Sequence, residues 1–151
     1  MEFFLIIFYL ALIVGLVALY IWICNCLRRM GENSGLDYNW ISYIPGLQTV
    51  QIARIAGLGW AVGWILLLVE SALYVLSKTL SYNIVCLIII TVISIAISAV
   101  LWCMVSYKFR EGEWGYGLMM IIPIINLFMY GEFAKNSDRY AELNNIQKSQ
   151  A

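Results

Sequence analysis

The sequence has no histidine, only two prolines and few charges, since acidic and basic residues make up 12% of its 151 residues. Without histidine the chain lacks the commonest general base, the usual neutral-pH switch and the commonest metal ligand. This argues against most familiar hydrolases and metalloenzymes, and no nucleophile and base pattern is visible. We therefore expect no enzyme activity, no cofactor and no metal. The net charge is zero, so nothing indicates a nucleic-acid partner.

Cysteines are also few, and all four lie in or beside hydrophobic runs: Cys24, Cys26, Cys86 and Cys103. A thiol in such surroundings behaves as a small apolar side chain, so we expect no disulfide framework. Cys24 and Cys26 precede Arg28, which leaves acylation at a membrane edge as an alternative. A Cys-x-Cys pair supplies only two of the roughly four ligands that structural zinc needs.

Hydrophobic residues dominate the chain, at 63% with a mean hydropathy of +0.84. Runs at about 3–26, 60–77 and 82–106 are close to or above the ~20 residues that cross a bilayer. The first is longer than a signal-peptide core, so we expect it to be retained. The run 116–133 carries Pro123 and is either a short span or re-entrant. We predict one all-α integral membrane domain, 1–151, with three to four transmembrane helices and a polar tail at 136–151 that is a short helix or disordered.

The chain resembles itself at an offset of 78 residues. Pro45 then aligns with Pro123, Gln48 with Asn126, and Arg54 with Glu132. Each half contains a span, a short polar loop and an Ile-Pro-x-x-Gln/Asn segment. This predicts an internal two-fold repeat, which is common in transporters but also occurs in proteins that bind nothing small. The alignment further suggests a charge pair between Arg54 and Glu132.

The segment 41–57 is too polar for a span and too apolar for an ordinary loop. Gln48, Gln51 and Arg54 form one polar stripe at helical spacing, and Pro45 breaks the approach to it. We predict an interfacial or shallowly re-entrant helix. It is either a structural elbow or the wall of a cavity or docking surface.

Charge placement favours an N-terminus outside the cell. If the run 116–133 does not cross, one cation, Lys78, lies outside, as the positive-inside bias favours. The other eight then lie inside: Arg28, Arg29, Arg54, Lys108, Arg110, Lys135, Arg139 and Lys148. We favour three complete spans and two Pro-bent segments, with four complete spans as the alternative.

Glu70 lies near the middle of the second hydrophobic run, where a carboxylate costs about 2.5–3.5 kcal/mol on insertion scales. The sequence does not fix its partners, but Thr91, Ser94 and Ser98 line one face of the third run and are candidates to hydrogen-bond to it. Glu70 then forms a hydrogen bond between helices, acts as a proton or ion relay, or contacts a partner subunit.

Two further features suggest contact surfaces. Gly59 and Gly63 form a G-x-x-x-G motif that suits close helix packing, either within the chain or in a homodimer. The loop 108–117 mixes charged and aromatic residues, so it is a solvated interfacial loop or contacts lipid headgroups or a partner.

The stretches SGLDYNWISYIPGLQTVQIARIAGLGW and FREGEWGYGLMMIIPIINLFMYGEFAKN resemble an uncharacterised family of small bacterial multi-pass membrane proteins. Its members carry a Trp/Ile-Pro-x-x-Asn motif; here Gln48 replaces the first asparagine and Asn126 retains the second. The resemblance covers about 35–136 and implies a bacterial cytoplasmic membrane and an all-helical fold. It brings no catalytic residues, and some relatives look like appendages of larger membrane proteins, including signal peptidases.

We therefore expect a non-enzymatic accessory, assembly or interaction subunit of the cytoplasmic membrane. Its partners are the lipid bilayer and either another membrane protein or a second copy of itself. The alternative is a small transporter or channel-like protein with a polar path lined by Glu70, Gln48, Gln51 and Asn126.

Overall fold

The computed structural model describes residues 2–80, 83–110 and 112–150, which are helical with short connections and contain no strand. The elements are α1 (Glu2–Asn33), a 3-10 helix (Asn39–Tyr43), α2 (Gln48–Ile55), α3 (Gly59–Thr79), α4 (Ile84–Phe109), α5 (Gly115–Leu118), a second 3-10 helix (Met119–Ile121) and α6 (Pro123–Gln150). The predicted all-helical fold is confirmed.

Three of the described helices are long and apolar enough to cross a membrane: α1, α3 and α4. They contain or closely match the three predicted runs, although residue 82 lies outside the described part of the chain. Helix α1 continues to Asn33 because its end makes polar contacts. Arg28 pairs with Glu32 at 2.7 Å, and Asn33 donates to the Ser137 hydroxyl and the Asp138 carboxylate.

Helix α6 runs in the same direction as α4, which follows from their aromatic contacts. The Trp102 ring lies 5.1 Å from the Tyr130 ring and stacks on Phe133 at 5.7 Å. Seven residues further along α4, the Phe109 ring meets Tyr140 at 5.7 Å.

The segment before α6 runs in the opposite direction along α4. Gly117 touches the backbone at Cys103, whereas Ile121 shares a cavity with Ile95, eight residues earlier in α4. The chain therefore reverses at Pro123, and the run 116–133 is a hairpin. Helix α6 continues from there to Gln150, so most of the predicted polar tail is one helix with the preceding apolar residues.

Packing is concentrated at one end of the molecule, where α1 and α4 finish. The core cluster there comprises Cys26, Leu27, Met30, Ile55, Trp102, Val105, Phe109, Met120, Met129, Tyr130, Phe133 and Ala134. At the other end every residue from 5 to 19 is exposed. We call these the packed end and the open end.

Candidate functional site

The first elbow, residues 39–48, is a helical hairpin broken at Pro45. Proline disfavours α conformation in the preceding residue, and Ile44 is extended at φ −92° and ψ 117°. This break deprives nearby carbonyl groups of helical partners. The side-chain amide of Gln48 donates to the Ser42 carbonyl at 3.4 Å, and the Tyr20 hydroxyl donates to the Tyr43 carbonyl at 3.0 Å.

The second elbow, residues 117–126, has the same construction 78 residues later. Ile122 is extended at φ −85° and ψ 114° before Pro123. Its N–H donates to the Met119 carbonyl at 3.2 Å, and in the first elbow the N–H of Ile44 donates to the Ile41 carbonyl at 3.1 Å. The Asn126 amide donates to the Met120 carbonyl at 2.7 Å. In both elbows, therefore, the amide of the Ile-Pro-x-x-Gln/Asn motif satisfies the carbonyl six residues before it.

A cavity of about 400 Å³ lies between the two elbows and α4; we call it the elbow cavity. Its lining comprises Gln48, Thr49, Ile52, Ser94, Ile95, Ser98, Trp102, Met120, Ile121, Asn126 and Tyr130. Four predicted candidates thus lie together: both motif amides and the two serines. Neither serine hydroxyl has a hydrogen-bond partner among the described residues.

Glu70 has a different partner from those predicted. The Thr49 hydroxyl donates to its carboxylate at 2.6 Å, and Thr49 itself lines the elbow cavity. The Thr91 hydroxyl instead donates to the Leu87 carbonyl of its own helix. Within the described ranges neither Ser94 nor Ser98 bonds to Glu70, so the carboxylate belongs to the contact between α2 and α3.

Gln51 and Arg54 form a buried network at the packed end. Gln51 is fully buried and donates to Asn39 at 2.8 Å. Arg54 donates to Gln51 at 3.1 Å and to the Asp37 carbonyl at 2.6 Å, and lies 3.9 Å above the Trp60 ring. Burial lowers the pKa of the Arg54 guanidinium, while the Asp37 carboxylate acts in the opposite direction.

Gln51 and Arg54 of the polar stripe are buried, as are their neighbours Val50, Ala53 and Ile55. One expectation is corrected, because the structure does not bring Arg54 and Glu132 together. Glu132 is exposed, and the ion pairs among the described residues join Arg28 to Glu32 and Arg29 to Asp138.

The two glycines of the G-x-x-x-G motif have separate roles. A Cβ atom at Gly63 would lie 3.0 Å from Cγ1 and 3.1 Å from Cα of Val50, so this glycine allows α3 to approach α2. Gly59 would meet nothing within 4 Å, but its φ of +79° is a left-handed conformation that favours glycine. The motif serves packing and chain direction within one chain.

The chemistry available in the elbow cavity is hydrogen bonding. The Ser94 and Ser98 hydroxyls have no hydrogen-bond partner among the described residues, and each motif amide uses its nitrogen on its elbow, which leaves its oxygen as an acceptor. In the described ranges no three His, Cys, Asp or Glu side chains are grouped so as to hold a metal ion.

Comparison with family models, curated proteins and solved structures finds no match to this chain. The resemblance to the uncharacterised membrane family therefore stays a prediction carried by its motifs.

Proposed function

We propose that the chain is an integral membrane protein with three complete spans, α1, α3 and α4, and two re-entrant elbows related by an internal repeat. The equivalent backbone breaks at Ile44 and Ile122 support the repeat, as do the equivalent amide contacts. Cations support an inside location for the packed end: Arg28, Arg29, Lys108 and Arg110 lie at or near the C-terminal ends of α1 and α4, whereas Lys78 lies at the far end of α3. The charge bias and the family resemblance favour a bacterial cytoplasmic membrane with the N-terminus outside.

The proposed function is that of a non-enzymatic interaction subunit for another membrane protein. The observation that carries it is the elbow cavity, whose unpaired Ser94 and Ser98 hydroxyls lie deep in the proposed bilayer. Ser98 and Lys108 are ten residues apart in α4, which is about 15 Å along a helix. This distance is half of a ~30 Å hydrocarbon layer.

A polar cavity at this depth needs a polar occupant or water, because lipid tails satisfy no hydrogen bonds. Beside it, the open end leaves long apolar surfaces on all three spans. Examples are Ile13, Leu68 and Val92, which are 57%, 68% and 59% exposed. A partner helix packed along these surfaces can place a polar side chain in the elbow cavity, which is how interhelical hydrogen bonds add to van der Waals packing in membranes.

The test is affinity purification of the tagged chain from its native membrane, comparing two double variants. Ser94→Ala/Ser98→Ala removes the two serine hydroxyls of the cavity without removing any hydrogen bond among the described residues. Ser71→Ala/Thr91→Ala is the matched control, since those hydroxyls bond to carbonyls of their own helices. We expect a stoichiometric partner to be lost with the first variant and kept with the second. Equal retention by both folded variants would refute recognition through the cavity.

A second candidate is a small transporter or channel-like protein, favoured by the convergence of Gln48 and Asn126 on one cavity. The polar path that the sequence predicts must be revised, because Gln51 lies in the buried network and Glu70 reaches the cavity only through Thr49. Solute flux in proteoliposomes of the purified chain, abolished by Ser94→Ala/Ser98→Ala, would favour this function over the first. Glu70→Gln should abolish flux only if the carboxylate is a relay.

A further inference from the structure

An apolar groove runs along the exposed side of α4 at the packed end, away from the elbow cavity. It has a volume of about 710 Å³ and lies between α4 and α5. Ala99, Val100, Met104, Trp114 and Leu118 supply much of its wall. From Ala99 to Lys108 the groove follows α4 for about 14 Å, so it reaches from the proposed interface toward the bilayer centre.

A polar pocket of about 360 Å³ adjoins the groove and shares Lys108 and Tyr140 with it; we call it the cationic pocket. Three cations line it, Lys108, Arg110 and Arg139, against one described carboxylate, Glu113.

None of these three cations forms an ion pair with a described residue. Both ion pairs in those parts of the chain use arginines of α1. The Lys108 ammonium donates to the Ile55 carbonyl at 3.0 Å, which leaves it further donors, and Arg110 lies 3.7 Å above the Tyr116 ring. Among the described residues, the pocket therefore has three cations without an ion-pair partner, which suits an anion. A phosphate group suits this set of cations, because its oxygens form charge-assisted hydrogen bonds with arginine side chains.

We propose that the groove and the cationic pocket together form a binding site for an anionic phospholipid. The phosphate lies among Lys108, Arg110 and Arg139, and one acyl chain lies along α4 over Val100 and Met104. Basic pockets at the cytoplasmic ends of membrane helices bind anionic headgroups by the same electrostatics. The acyl groove argues for a lipid over a free phosphate. This site is separate from the elbow cavity and shares with the proposed function only the membrane location.

The headgroup is tested by native mass spectrometry of the intact chain in mild detergent, titrated with phosphatidylglycerol or phosphatidylcholine. We expect phosphatidylglycerol to bind at least tenfold more tightly. Arg110→Gln/Arg139→Gln should weaken phosphatidylglycerol binding at least tenfold, since each surface cation contributes about fivefold to the affinity. The matched control, Arg28→Gln/Lys135→Gln, removes two cations outside the pocket and should change binding less than threefold.

The acyl groove is tested independently with two exposed valines of α4. Val100→Trp fills the groove and should weaken phosphatidylglycerol binding at least fivefold. Val92 is as exposed as Val100 but lies outside the groove, so Val92→Trp should not weaken binding. This pair also decides the proposal if the arginine variant does not fold. Equal affinity for both lipids, equal effects within either variant pair, or displacement of the lipid by equimolar glycerol phosphate would overturn it. None of these results bears on partner capture through Ser94 and Ser98.

Discussion

Replacing Gly117 by alanine should disrupt the contact between the second elbow and α4. A Cβ atom at this position would lie 2.3 Å from the backbone N of Cys103 and 2.4 Å from the carbonyl carbon of Trp102. Ordinary contact begins near 3.4 Å. Because these atoms belong to the backbone of a long helix, they cannot rotate away as a side chain can. The hairpin must therefore move by about 1 Å, against a close-packed neighbour.

Gly115 gives a matched control within the same short helix. A Cβ atom there would meet nothing within 4 Å, so Gly115→Ala should stabilise the helix by about 0.5–1 kcal/mol. Overpacking at Gly117 should cost about 1–3 kcal/mol. The two alanine variants should thus differ by about 1.5–4 kcal/mol in the free energy of unfolding, from the same change in composition.

Thermal melts followed by far-UV circular dichroism in one mild detergent measure this difference. At about 2–4 °C per kcal/mol for a chain of this size, Gly117→Ala should melt about 3–16 °C below Gly115→Ala. Equal melting temperatures, or a lower one for Gly115→Ala, would show that residues 115–121 do not pack on α4. The elbow cavity would then lose the wall formed by Met120 and Ile121.

Five further substitutions test three sets of polar contacts, each by denaturant or thermal unfolding in detergent. Thr49→Val should lower the free energy of unfolding by about 0.5–1.5 kcal/mol because it removes the hydroxyl that donates to Glu70. Glu70→Gln keeps an acceptor and should cost less; the reverse order would contradict this pairing. Arg54→Lys should cost about 2–3 kcal/mol because an ammonium cannot reproduce two guanidinium bonds and the stacking on an indole ring; unchanged unfolding would refute the network. Asn126→Leu should cost about 1 kcal/mol and Gln48→Leu less, because the amide bond is 2.7 Å in the second elbow and 3.4 Å in the first; a larger effect at the first elbow would show that these distances do not set the cost.

The helices of this fold are predictable because hydropathy and proline report directly on them. The long apolar runs gave α1, α3 and α4 to within a few residues, except where α1 continues to Asn33. Pro45 and Pro123 each mark the point where the chain turns back. Both signals are local in sequence, since they depend on the solvation of a segment or on the geometry of one residue.

The burial of Gln51 and Arg54 was not predictable from the same kind of signal. Helical spacing places the two side chains on one face but does not say what covers that face. Their partners are the side chain of Asn39, the backbone carbonyl of Asp37 and the ring of Trp60. A polar stripe on a short helix has the same pattern whether it meets solvent or buried acceptors. Glu70 illustrates the same limit, since no spacing connects it to a threonine 21 residues earlier.

The continuity of the C-terminal helix was not predicted, for another reason. Hydropathy changes sharply within α6, so the apolar run and the polar tail looked like separate elements. A signal was present, because no glycine or proline follows Gly131. Nothing in the backbone chemistry therefore required the helix to stop. Contacts of the tail with α1 and α4, through Asp138 and Tyr140, then hold the polar part in place.

The two halves of the proposed repeat are interlocked, which bears on what the elbow cavity can be. The ammonium of Lys108, at the end of α4, donates to the Ile55 carbonyl at the end of α2, so a long helix of the second half contacts the elbow helix of the first. At offset 78 the equivalent positions are Met30 in α1 and Phe133 in α6, both fully buried in one cluster. The core cluster at the packed end is therefore built from residues of both halves. Because the cavity lies between the two elbows, its geometry depends on both of these contacts between the halves. A substitution that loosens either contact should thus alter the surroundings of Ser94 and Ser98 without touching them.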